Sequence, residues 1–191
     1  DVLAGEYDDP ETVRNRYDLD PERSLLLLIQ HPVTTQSEQA GEQMAATLDA
    51  VESFDAQTVI IYPNSDAGGD QIIEEISSRQ LGEDLKTFQS LPRREYLGLM
   101  SAADVMVGNS SSGIIEAPSF DLPVVDVGPR QKGRQRAVNT ISVPHQTNEI
   151  RDAISKCLTD EEFTKRVTPC ENPYDYQGAG TLICQTLAEV E

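Results

Sequence analysis

The most chemically suggestive stretch is Asn109-Ser110-Ser111-Ser112-Gly113, which follows the apolar run Val105–Val107 and precedes an apolar-periodic run carrying one acid, Glu116. Consecutive hydroxyls suit neither a strand nor a helix interior, because they compete for backbone hydrogen bonds. At a strand-to-helix join they make an anion seat. The first N–H groups of a helix are unpaired and favour negative charge, serine adds donors without bulk, and Gly113 permits close approach. Glu116, one turn on, cannot hold a phosphate. Its carboxylate suits the paired hydroxyls of a ribose, so the pair of features points to a nucleotide. A plain N-capped helix is the simpler alternative, but it needs one serine and leaves two unexplained. No Walker A sequence is present.

Other candidates also follow apolar runs. His31, in "QHPVTT", is the catalytic candidate: an imidazole there can donate to a leaving phosphate or move a proton. A hydrogen-bonded structural histidine is the competing role. Asn64 and Asp66, in "PNSDAGGD", have the chemistry of a turn and a cap. Arg130 stands in "VGPRQKGRQR" and could cross to the same anion as the serine run. His145, in "VPHQTNE", reads as turn chemistry.

The elements that must position these residues alternate. Apolar runs at 24–29, 58–62, 85–88, 104–108, 123–127 and 140–143 read as strands. Helices are expected from a Thr35/Glu38 capping box to about 53, from Asp66 to 79, and from Pro92 to 101. Others are expected at 111–118, at 147–158, after a Thr159/Glu162 capping box, and at 178–190. The pattern predicts an α/β fold, a doubly wound parallel (Rossmann-like) sheet whose strand carboxyl ends share one rim. Residues 1–20 read as a polar lead-in with one short helix, and 21–191 as the domain proper.

Thirty-three acids against fifteen bases give a net charge of −18. That excludes a general nucleic-acid binder, whose affinity rests on neutralising phosphates. The acids are dispersed and only four bases are lysine, a composition suited to concentrated salt that points to a halophilic, archaeal source. No acid occurs between Asp126 and Glu149, where Arg130, Lys132, Arg134 and Arg136 cluster. That island is either a solvated loop or a patch that meets an anion. No apolar stretch is long enough to span a membrane. Cys157, Cys170 and Cys184 fit no metal spacing and read as buried free thiols of a reducing, cytoplasmic compartment. The start at Asp1, without a Met, reads as a piece of something longer.

The runs "QHPVTT", "YPNSDAGG", "GNSSSGIIEAPSF", "PVVDVGPRQKGRQRAVNTISV" and "NPYDYQGAG" resemble the hydrolysing branch of the UDP-N-acetylglucosamine 2-epimerases. The resemblance implies one half of a glycosyltransferase-B-type enzyme, its carboxyl-terminal UDP-binding domain, facing an absent amino-terminal domain. It implies that Ser110 and Ser111 hold the diphosphate, Glu116 the ribose and Arg130 the nucleotide, with His31 and Asn64 facing the sugar side. Tyr96 matches a position where a ring stacks on uracil; a helix-core tyrosine is the alternative. The implied reaction converts UDP-N-acetylglucosamine to UDP and N-acetylmannosamine, without metal or cofactor, on a sialic-acid-type route. Its acid and base carboxylates would lie in the missing half, so the fragment would bind UDP without turnover. The whole protein would be a homo-oligomer. A glycosyltransferase donor domain and a non-catalytic nucleotide-binding module are the rival readings. "NPYDYQGAG" departs from the family's usual tail.

Overall fold

A computed structural model describes residues 2, 5–79, 82–175 and 179–188. Six strands, β1 (Leu25–Ile29), β2 (Gln57–Ile61), β3 (Leu85–Phe88), β4 (Val105–Gly108), β5 (Val124–Val127) and β6 (Thr140–Val143), form one parallel sheet in the order 3-2-1-4-5-6. The inner strands β1, β4 and β5 are buried along their whole length, which explains their unbroken apolar runs. The edge strands β3 and β6 are half-buried and mix polar with apolar residues.

Successive residues of each strand feed opposite faces. Leu26, Leu28, Ile60, Val105, Val107, Val125 and Val127 pack on α2 (Ala40–Val51), α3 (Gly69–Ser78), α6 (Thr147–Thr159) and α7 (Glu161–Val167). Leu25, Leu27, Ile29, Val59, Met106 and Val124 pack on α1 (Pro10–Arg16), α4 (Arg93–Ala102) and the segment after β4. Val13 and Leu19 are buried in this second layer, and Arg14 donates to the Ala102 carbonyl, so α1 is fastened to the body.

Several helix starts differ from expectation. Residues Thr34–Gln39 form a 3-10 turn bent at Gln36, so Thr35 and Glu38 form no capping box and α2 begins at Ala40. Gly68, not Asp66, precedes α3, in a left-handed conformation close to Ser37 and Ala40. Asp160, one residue after the expected Thr159, caps α7 by accepting from the Glu162 and Phe163 amides. After β4 the chain makes a single α turn, α5 (Ser112–Ile115), then a 3-10 turn (Ala117–Phe120) set by Pro118. The last helix, α8 (Ala179–Ala188), exposes Ile183 (58%) and Leu187 (67%). Cys157 is buried and Cys170 partly so, but Cys184 is exposed, against expectation, because α8 turns this stretch to solvent. No helix among the described residues is long and apolar enough to cross a membrane.

Candidate functional site

The strand order reverses between β1 and β4, and the crevice beyond their carboxyl ends is where such sheets bind ligands. His31 follows β1 and Asn109 follows β4. Gly108 brings them together: its φ is +117°, and a Cβ there would overlap the Ile29 carbonyl. Asn109, 1% exposed, then donates its N–H to Ile29 O (3.1 Å). Its side-chain oxygen accepts from His31 N (2.7 Å) and its amide nitrogen donates to His31 O (2.9 Å). Only one orientation of the amide satisfies both contacts.

The backbone N–H groups of Ser110 and Ser111 have no protein partner among the described residues, while those of Gly113, Ile114 and Ile115 close the first turn. With only one α turn behind it, this seat draws little on a helix dipole and depends on local donors. Tyr96 packs its ring against the core beneath the serines, with its hydroxyl beside Ser110, Ser112 and Glu116. Burial pushes that hydroxyl up to about 12, so it stays a donor. This placement suits the core-tyrosine reading. Glu116 accepts from Arg93 (3.1 Å), a residue for which the sequence carried no signal.

His31 is half-buried, and its Nδ1 accepts the Asn64 backbone N–H (3.0 Å), so the proton of the neutral ring sits on Nε2. Burial, aided by the Arg130 charge, lowers its pKa to about 4. At neutral pH His31 is therefore a hydrogen-bond donor rather than a proton donor. Asn64 is exposed, and its side chain donates to Asp66 (2.7 Å).

The basic segment after β5 is a strap tied at several points. Arg130 Nη1 and Gln131 Nε2 donate to the Asn109 carbonyl (3.1 and 2.7 Å), and Arg136 pairs with buried Asp126 (2.8 Å). Tyr174 donates to the Gln135 carbonyl, and Asn172 holds Ile115 O and Ser119 Oγ, which gives "NPY" a structural role. The rest of that motif lies largely outside the described residues. Lys132 and Arg134 are exposed and meet no acid among the described residues.

Pro32, Ser111, Asp66, Arg130, Gln131 and Arg134 line a cleft of about 370 Å³. Its lining sets the Arg130 and Arg134 guanidiniums, the Thr34 and Ser111 hydroxyls and one carboxylate, Asp66, around the same space, and the guanidiniums and hydroxyls have the chemistry to meet an anion. A larger hollow of about 570 Å³ lies beyond Gly128–Pro129, lined by Gln36, Gln39, Glu42, Gln43, Ser142 and His145. Its residues carry no lasting positive charge, since burial lowers the His145 pKa, so of the two hollows only the smaller is lined by guanidiniums. Among the described residues no cluster of His, Cys, Asp and Glu could hold a metal ion. The sequence placed Asn109 in the suggestive stretch without a role of its own and gave no role to Gln131; both hold the loops through the Asn109 peptide and side chain.

The profile of the UDP-N-acetylglucosamine 2-epimerase family matches residues 4–188. The sequence is 38% identical over 148 residues to the UDP-N,N'-diacetylbacillosamine 2-epimerase (hydrolyzing) of Legionella pneumophila, covering 78% of this chain and 39% of that protein. It is 34% identical over 153 residues to the UDP-N-acetylglucosamine 2-epimerase of Neisseria meningitidis, covering 80% and 40%. The fold resembles the UDP-GlcNAc 2-epimerase structure from Neisseria meningitidis bound to UDP-GlcNAc (TM-score 0.74, 17% identity, 93% of this chain and 48% of that one). It also resembles the Escherichia coli ADP-heptose LPS heptosyltransferase II (TM-score 0.57, 12% identity, 80% and 52%). The chain spans about two fifths of the length of the curated relatives it matches.

Proposed function

The chain belongs to the UDP-N-acetylglucosamine 2-epimerase family, and from that premise we propose that it is the carboxyl-terminal, nucleotide-binding half of a hydrolysing member. The observation that carries the reading is the convergence of Ser110 and Ser111 N–H groups, Arg130 and the His31 Nε2–H at the β1/β4 crevice, with Glu116 one turn away. In this reading the diphosphate occupies the cleft and Arg134 adds charge at its mouth. Glu116, steadied by Arg93 and near the Tyr96 hydroxyl, accepts the ribose hydroxyls. Asn64 fixes the His31 tautomer through its backbone and stands on the sugar side.

The reaction proposed for the whole protein is elimination followed by hydration. A base in the amino-terminal half removes the C2 proton of UDP-N-acetylglucosamine while the C1–O bond breaks and UDP takes the electron pair. Water then adds across C1=C2, its hydroxyl to C1 and a proton to C2 from the opposite face, giving N-acetylmannosamine. His31, Arg130 and the serine amides stabilise the charge that grows on the departing diphosphate. The relative acting on a diacetamido sugar supports that substrate class as a variant. The amino-terminal half and further copies of the whole protein are the proposed partners.

The test is calorimetric titration of UDP into this chain beside Glu116→Ala. Wild type is expected to bind saturably without turnover, and the variant on the order of 10-fold or more weaker. Equal binding by both would remove Glu116 from the site. Likeness to a heptosyltransferase favours a second reading, a glycosyltransferase donor domain. Release of free N-acetylmannosamine by the full-length protein, with no acceptor present, decides against it.

A further inference from the structure

Asn109 spends every polar group it has on the rim. Its N–H holds the end of β1, its side-chain amide grips both the N–H and the carbonyl of His31, and its own carbonyl receives Arg130 and Gln131. Three loops, following β1, β4 and β5, therefore meet on one side chain and one peptide group. Two of them deliver the groups assigned to the anion, His31 and Arg130, and the third delivers Ser110 and Ser111. A buried asparagine must satisfy both its oxygen and its nitrogen, and Asn139 does so with two different residues, Leu122 and Thr140. Here the amide reads a donor and an acceptor of the same residue, which fixes both the position and the tilt of the His31 peptide.

We infer that Asn109 is the positioning residue of the nucleotide seat: its carboxamide, by donating to and accepting from His31 at once, fixes the His31 peptide against the main-chain carbonyl that receives Arg130, and so sets the two at the spacing a diphosphate requires. It does not touch the anion. The inference rests on the nucleotide reading above. Its consequence is a chemical requirement for one donor and one acceptor at this side chain. A carboxylate has two acceptors and would face the His31 carbonyl with like partial charge. A protonated carboxyl group restores one donor and one acceptor in nearly the same shape.

That difference supplies a test which a merely space-filling role would not pass. UDP is titrated calorimetrically into wild type, Asn109→Asp and Asn109→Ala between pH 8 and pH 5, with circular dichroism confirming that each is folded. At pH 8 both variants are expected to bind UDP on the order of 10- to 100-fold more weakly than wild type. As pH falls, the ratio of Asn109→Asp to wild type should close towards unity as the buried carboxylate takes up its proton, while that of Asn109→Ala stays open. Taking the ratio at each pH removes the titration of free UDP from the comparison. A ratio for Asn109→Asp that stays open once infrared absorption shows its carboxyl protonated, or wild-type affinity at pH 8, overturns the inference and leaves the nucleotide reading intact. No binding of UDP by folded wild type overturns both. Should Asn109→Asp fail to fold, Asn109→Ser, whose single short hydroxyl cannot meet the N–H and the carbonyl of His31 together, is expected to weaken UDP binding on the order of 10-fold. Unchanged affinity in that variant overturns the inference.

Discussion

The Nδ1 of His31 is occupied by the Asn64 amide, so any proton the ring gains must come at the expense of that bond. With the folded pKa near 4 and the ordinary value of 6.5, the unfolded chain binds a proton between these limits that the folded chain refuses. Stability from this site is thus complete above pH 6.5 and is lost as pH falls towards 4. His31→Gln should flatten that slope in denaturant melts at pH 4.5, 5.5 and 7. The slope it removes is worth at most about 3 kcal/mol, since each pKa unit corresponds to about 1.4 kcal/mol and the ring keeps some solvent contact. A bound anion opposes the effect by favouring the imidazolium. At this scale the sequence was legible where side-chain type alone carries meaning, as in the paired serines and Glu116. It named Asn109 without its role and was silent on Gln131 and Arg93, because these roles depend on which distant loop lies opposite.

At the tips of β4 and β5 the chain turns at two glycines that differ in what confines them. Gly108 faces the Ile29 backbone, whereas Gly128 (φ +79°) lies under the His145 ring, whose nitrogens find no partner among the described residues. Gly128→Ala should destabilise the protein by about 2–4 kcal/mol through backbone strain and overlap with the imidazole. His145→Ala should recover part of that loss, a coupling that thermal melts of the double mutant would show. Gly108→Ala should be at least as costly, and His145→Ala should rescue none of it. The six strands could be read from sequence because burial on both faces leaves an unbroken apolar signature in β1, β4 and β5. Helix starts were less legible. Thr35/Glu38 fits a capping box locally, but the rim loop bends at Gln36, and Pro118 ends α5 after one turn.

Across the whole molecule, a charge of −18 surrounds a rim where Arg130, Lys132 and Arg134 gather without a neighbouring run of acids. Salt should therefore move two properties in opposite directions. Raising KCl from 0.1 to 1 M is expected to lift the melting temperature by several degrees by screening repulsion between acids, while weakening UDP binding several-fold. Calorimetry at matched salt would record both. Melting that ignores salt would count against a salt-adapted surface. The charge gap was visible in the sequence. The division of labour within it, Arg136 tied to Asp126 and Arg134 left at the cleft, was not. The graded burial of the three thiols has a practical consequence. Cys157 is enclosed and pushed up to about 12, burial raises Cys170, and Cys184 stands exposed on α8 near Ile183 and Leu187. A maleimide dye should thus mark α8 alone, with no engineered cysteine, and its labelling rate would report whether another surface covers that helix.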